Sequence, residues 1–288
     1  MRLSYRAVVA PMLIAMALPC LTTTRAYAGN RDDSAAEKLG FKLSLQCYTF
    51  RKLTFFETVD EAARLGIKYL EISPFQSLKP GSSVPTDSSM SDEVRDEIKK
   101  KLAEAGGIKV VAYGVAAVPG EEQNARKIFD WAKKMGIEVL VTETTPTKLH
   151  DELCTEYGIK MALHNHPWSW QPENVLAACK DRCKLIGSCA DTGHWMRTDY
   201  VPVDTLKMLQ GRVMHLHFKD MDRFGGFGYD VPWGTGKGDV KGMLQELKRQ
   251  GFHGYFSIEY EHGTLPELRA NIAKCVEFFD TTATELAK

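Results

Sequence analysis

Short, nearly uninterrupted apolar runs recur along this chain, separated by longer stretches in which apolar residues return every three or four positions. The first pattern suits a strand buried on both faces, and the second suits a helix with one packed face. A glycine joins the two repeatedly. Leu65-Gly66-Ile67-Lys68 precedes YLEI, Gly106-Gly107-Ile108-Lys109 precedes VVAY, and Met135-Gly136-Ile137-Glu138 precedes VLVTE. Tyr157-Gly158-Ile159-Lys160 precedes MALHN, and Gln250-Gly251-Phe252 precedes GYFSIEY. Glycine takes the left-handed conformation that closes a helix without steric cost. Upstream of the first junction, Val59, Ala62, Ala63 and Leu65 carry the helical spacing.

Five such junctions predict alternating helices and strands, hence a parallel sheet. Three more apolar runs, Leu43–Thr49, Leu185–Ala190 and Val213–Phe218, bring the strands to eight. No glycine-rich fingerprint follows the first strand, which disfavours an open dinucleotide-binding sheet. The expected fold is an α/β, (β/α)8 TIM barrel forming a single domain over residues 42–288. Two loops, 79–91 (rich in Pro, Gly and Ser) and 224–239 (six glycines), fall beyond strand ends. Barrels of this kind build their sites on that face.

The N-terminus follows another pattern. Arg2 and Arg6 frame the start of an apolar run, Ala7–Leu18, and Ala26-Tyr27-Ala28 has the small-x-small form of a signal-peptidase site. Residues 1–28 therefore read as a signal peptide and 29–41 as a flexible leader. The apolar run is short for a bilayer span. The expectation is an exported protein, periplasmic or extracellular, with no membrane span after processing. Cleavage removes Arg2, Arg6 and Arg25 and leaves 34 basic against 37 acidic side chains, a net −3. With Lys and Arg dispersed, no nucleic-acid face is expected. Six cysteines remain, and buried thiols are expected rather than bridges. Cys179 and Cys183, four apart, are placed on one helix face.

Chemistry gathers where the apolar runs end. The first strand ends in Gln46, Tyr48 and Arg51, the second carries Glu71, and the fourth ends in Glu143. The fifth ends His164-Asn165-His166 and the sixth Asp191-Thr192-Gly193-His194. The seventh gives His215-Leu216-His217-Phe218-Lys219-Asp220, and the eighth Glu259-Tyr260-Glu261-His262. Side chains ending different strands of a closed barrel converge on its axis. Carboxylates and imidazoles meeting there suit Mn2+, Co2+, Zn2+ or Mg2+. Without a cation, buried unpaired carboxylates would be costly. Plainer roles stand beside these. Glu259 could pair with Lys219, Asp191 could cap its turn, and His215 could be structural beside a ligating His217. His150 and His253 are expected at the surface. Trp168, Trp170, Trp195 and Trp233 lie just past strand ends, where indole faces stack on sugars or pack in the core.

The motifs LQCYTFR, ALHNHP, ADTGHW, HLHFKD, GTGKGDV and FSIEYEH follow strand order from about Lys42 to Glu277. They resemble the xylose isomerase-like barrel superfamily, and within it the proteins called sugar phosphate isomerase/epimerase. The resemblance implies one divalent ion, Mn2+ first, held by Glu, Asp, His and Glu from late strands. Asp191, His217 and Glu259 match the last three. Many relatives carry the first Glu on strand five, where this chain has His164. Glu143 on strand four is the expected replacement, with His164 as the alternative or an additional ligand.

The resemblance also implies an isomerase or epimerase in which a carboxylate removes the proton beside a metal-gripped carbonyl. Glu143, Glu259 and His166 are the acid/base candidates, and Lys219 is the candidate oxyanion donor. His164, His194, Trp168, Trp195 and Trp233 are the expected substrate contacts. A lyase or dehydratase acting on a keto-sugar or 3-keto-glycoside is the alternative. A carbohydrate-binding protein without catalysis is the reading from another class. Phosphorylated sugars are scarce outside the cytoplasm, so the expected small-molecule partner is an unphosphorylated sugar, bound by a monomer or homo-oligomer.

Overall fold

A computed structural model describes residues 31–288. The signal peptide read at 1–28 lies outside the described residues. Eight parallel strands close a barrel in sequence order. They are β1 (Phe41–Gln46), β2 (Tyr69–Ile72), β3 (Lys109–Tyr113) and β4 (Val139–Thr142), then β5 (Lys160–His164), β6 (Ile186–Asp191), β7 (Val213–Phe218) and β8 (Gly254–Ile258). β1 pairs with both β2 and β8, which leaves no edge. The expected TIM barrel is therefore present.

Around it run α1 (Ser34–Lys38), α2 (Phe55–Arg64), α3 (Asp92–Glu104), α4 (Glu122–Met135) and α5 (Lys148–Tyr157). α6 (Pro172–Cys179), α7 (Thr192–Arg197), α8 (Pro202–Met208), α9 (Val240–Arg249) and α10 (Leu265–Leu286) follow. Local chemistry sets their ends. Thr54 and Glu57 form a reciprocal capping box at the start of α2, and Gly136 and Gly158 end α4 and α5 in left-handed conformations. α2 turns Phe55, Val59 and Ala62 onto the barrel.

Beneath α10, Phe256 of β8 lies against Phe41, Phe218, Phe252 and Phe279, with ring centroids 4.8–5.6 Å away. Burying an aromatic of this size contributes roughly 1.5–3 kcal/mol. A different device fits β6 to β7: a side chain at Gly187 would stand 2.1 Å from the Arg212 carbonyl oxygen, so only glycine lets the strands approach.

Three expectations change. The leader is not wholly flexible, because residues 34–38 are helical and Arg31 forks onto Asp280. The first strand ends at Gln46, where residues 47–50 tighten into a 3-10 turn. Cys179 is the last residue of α6, so Cys183 does not share its helix. All six described cysteines are free thiols, five of them buried.

Candidate metal centre

The ends of β5 to β8 carry the site. Asp191 is in register with His217, and His217 with Ser257, two residues before Glu259. The strand ends are tied together by Thr192, whose hydroxyl accepts from the Lys219 N–H and donates to the Lys219 carbonyl, both at 2.8 Å. Asn165 brackets the Asp191 backbone with two more hydrogen bonds. Gly193 leaves room for Lys219, since a side chain there would stand 2.8 Å from Lys219 Cδ. On the next turn, Asp220 accepts the backbone N–H groups of Met221, Gly234, Gly236 and Gly238, which pins the glycine-rich loop.

His164, Asp191, His217 and Glu259 bring four ligand atoms within 4.8 Å of one another, all from buried residues. His164 Nε2 is 3.5 Å from Asp191 Oδ2, and His217 Nδ1 is 3.1 Å from Glu259 Oε2. Ligand atoms about 2.1 Å from one tetrahedral ion stand about 3.4 Å apart, so this spacing fits a single cation. The two imidazoles have no other partner there: both His164 nitrogens and His217 Nδ1 make no hydrogen bond, and Asp191 Oδ2 and Glu259 Oε2 meet, besides these imidazoles, only the Lys219 ammonium. Lys219 Nζ lies 2.9 Å from Asp191, 2.8 Å from Glu259 and 2.8 Å from Glu261. Three carboxylates and one ammonium leave a net −2, the complement of a dication.

Two neighbouring clusters do not share this chemistry. Glu71 contacts the Nε2 atoms of His215 and His217 at 2.7 and 2.8 Å, which are hydrogen-bond lengths. His164, His166 and His194 also approach one another. There, however, Arg197 lies 2.9 Å from His194 Nδ1. A guanidinium only donates, so the His194 proton sits on Nε2 and that nitrogen is not a ligand.

Electrostatics follow from burial and these neighbours. Burial pushes Glu71 up, but His217 and His215 outweigh it and hold the carboxyl at about 2. Burial likewise opposes ionisation of Asp191 and Glu259. Lys219 holds Asp191 well below the carboxylate range, and Lys219 and His217 do the same for Glu259. Burial lowers His194 to about 2 despite Asp191, so its imidazole is neutral.

A cavity of about 330 Å³ opens above this centre, lined by Gln46, Tyr48, Phe75, His166, His194 and Glu259 among others. Of the expected site residues, Asp191, His217, Glu259 and His164 come together, and Lys219 and His194 border them. Glu143 does not join. Its carboxylate is half-exposed past β4, held by His166 Nδ1 at 2.9 Å and Ser169 at 3.0 Å. Trp195 and Trp233 do not reach the cavity as substrate contacts: both are buried in the hydrophobic core, Trp233 against Phe218 and Phe279. Trp168 remains exposed at the rim. His150 is not at the surface but fully buried, where its Nδ1 accepts the Thr147 N–H. Glu71 stood among the strand-end groups of the sequence without a role of its own, and Arg197 was not singled out. The signal for Glu71 was a charged residue inside an otherwise apolar strand.

The family model described as xylose isomerase-like TIM barrel matches residues 147–282. The solved structure of an uncharacterised protein from Parabacteroides distasonis ATCC 8503 is 33% identical, with a TM-score of 0.67 over 84% of this chain and 99% of that one. A solved sugar phosphate isomerase/epimerase from the same organism has a TM-score of 0.64 at 16% identity, over 86% of this chain and 96% of that one; it shares the fold. Inosose dehydratase from Lactiplantibacillus plantarum is 30% identical over 132 residues, spanning 39% of this chain and 43% of that enzyme. The match thus takes in less than half the length of that curated relative. A full-length relative at 33% identity, a barrel closed in order and a matching family model agree: the chain belongs to the xylose isomerase-like TIM barrel family.

Proposed function

We propose that this chain is a divalent-metal-dependent isomerase or epimerase that moves a proton beside the carbonyl of an unphosphorylated sugar. The observation that carries this reading is the placing of proton-transfer groups on opposite walls of one cavity above one cation site. Glu259 follows β8, while the Glu143–His166 pair follows β4 and β5, about halfway round the barrel. Removal of a proton on one face and its return on the other needs such a pair.

His164, Asp191, His217 and Glu259 would hold the ion. With two imidazoles and two carboxylates, the set favours Zn2+ or Co2+ over the Mn2+ expected from the family pattern. When bound, the ion supplies Lewis-acid polarisation of a substrate carbonyl. The chain's own groups do the rest. Glu259 takes or gives the proton on the β8 side. Glu143 accepts at His166 Nδ1, which directs His166 Nε2 into the cavity as the second acid/base group. His194 Nε2–H, fixed by Arg197, donates to the substrate oxygen that gains charge. Lys219, expected in that donor role, is instead committed to three carboxylates and keeps Asp191 and Glu259 ionised. Trp168 offers a stacking face at the mouth.

A dehydratase or lyase is the second reading, favoured by the likeness to inosose dehydratase. It begins with the same proton abstraction and ends by expelling a hydroxyl or glycosyl group. Export, proposed from residues 1–28, underlies the choice of an unphosphorylated substrate, and N-terminal sequencing of the native protein tests it. The reaction is tested in D2O with a panel of free sugars and 3-keto-glycosides. Deuterium entering beside the carbonyl is expected, and its loss in Glu259→Gln with unchanged circular dichroism and retained metal content assigns the group. Unlabelled sugars throughout the panel, or full exchange in Glu259→Gln, would overturn the reading. Product analysis separates epimerisation from elimination.

A further inference from the structure

One buried carboxylate lies beneath the proposed ligands and, among the described residues, touches no Lys or Arg. Glu71 is 0% exposed at the end of β2, in register with Gln46. It is surrounded by donors: Gln46 Nε2 at 2.9 Å, His215 Nε2 at 2.7 Å and His217 Nε2 at 2.8 Å. Ser257 Oγ lies 3.0 Å from the same His215 nitrogen. Burying an ionised carboxylate costs several kcal/mol unless its partners compensate. Packing alone would be served by an apolar residue.

The direction of these bonds has a consequence. A carboxylate only accepts, so His217 must donate from Nε2. An imidazole that gives its Nδ1 lone pair to a cation keeps its one remaining proton on Nε2. His217 Nδ1 is the atom without a hydrogen-bond partner, 3.1 Å from Glu259 Oε2 and within the four-residue cluster. We propose that Glu71 is a positioning residue for the cation site: by accepting from His217 Nε2 it orients the imidazole and turns the Nδ1 lone pair toward the ion. Gln46 spans Glu71 and the Gly114 carbonyl, 3.1 Å away, and holds the carboxylate in place. The proposal rests on the ligand set of the preceding subsection.

The probe is Zn2+ alone, titrated against a chelator on the full-length chain. Glu71→Gln keeps the shape but turns an N–H toward at least one of its three donors. It should weaken Zn2+ about 10–100-fold, the scale of lost partners behind a ligating histidine. His215→Gln removes a neighbouring donor and leaves the Glu71–His217 bond, so it should keep wild-type affinity. Imidazole 15N spectra of the zinc-loaded wild type should show His217 protonated on Nε2. Wild-type affinity in Glu71→Gln, equal weakening in both variants, or a His217 proton on Nδ1 overturns the proposal. The spectrum decides the matter even where a variant fails to fold. A wild type that takes up no Zn2+ overturns the ligand set and this proposal together, whereas a zinc-binding wild type with an indifferent Glu71→Gln overturns this proposal alone.

Discussion

Asp230, on the loop between β7 and α9, is 2% exposed and its Oδ1 has no hydrogen-bond partner. Burial pushes its carboxyl up, Lys219 draws it down, Glu261 raises it and Arg197 lowers it; the balance stands at about 6 against an ordinary 3.8. Because the folded value exceeds the unfolded one, the folded chain binds this proton more tightly. The group therefore costs nothing below about pH 4, and stability falls as pH rises through 6. At 1.36 kcal/mol per pH unit, the full cost above that range is about 3 kcal/mol. Asn keeps the shape and an oxygen to accept the Glu261 N–H at 3.2 Å, but loses the Arg197 attraction across 3.8 Å. Asp230→Asn should therefore stabilise the chain by about 1–3 kcal/mol at pH 8, with the gain about 1.4 kcal/mol smaller at pH 5. Urea midpoints of EDTA-treated protein from pH 5 to 8 measure it. A gain that stays flat with pH, or a loss at pH 8, refutes the reasoning.

Other consequences follow from packing at the rim. Gly193→Ala would press a methyl against Lys219 Cδ and Cβ, at 2.8 and 2.9 Å, where the buried lysine has no room to yield. It should cost about 1–3 kcal/mol in thermal unfolding and lower Zn2+ affinity, while a neutral outcome in both contradicts the tight seat assigned to Lys219. Trp168→Ala should leave stability within about 0.5 kcal/mol and raise KM, because the indole is 83% exposed. Trp195→Ala should do the reverse, with a loss of about 3–5 kcal/mol, since that indole is 1% exposed. Melting curves and steady-state kinetics on the pair check both directions. Competition between Zn2+ and Mn2+ at equal concentration should load Zn2+, and preferential Mn2+ uptake would favour a third carboxylate in place of His164.

Most of the barrel was legible because glycine closed helix after helix ahead of an apolar strand, at Gly66, Gly107, Gly136, Gly158 and Gly251. The late-strand residues were legible for a related reason: Asp191, His217 and Glu259 end consecutive strands, and a closed barrel leaves such ends nowhere else to point. What the sequence hid depended on partners far along the chain. Trp195 and Trp233 follow strand ends as Trp168 does, but α7 and the core beneath α10 take their indoles inward. Thr142 is in register with Leu163, so Glu143 and His164 stand at one level. His164 is still the last residue of β5, whereas Glu143 lies one past the end of β4 and its carboxylate turns to His166 and Ser169. Glu71 meets its imidazoles across 144 and 146 residues, a pairing no local pattern announces.

Anomalous diffraction from crystals grown with Zn2+ tests the central claim most directly. The account predicts one strong peak per chain, at bonding distance from His164, Asp191, His217 and Glu259, with Glu143 apart from it. A peak bound by Glu143 without His164, or no peak inside the barrel mouth, would contradict it.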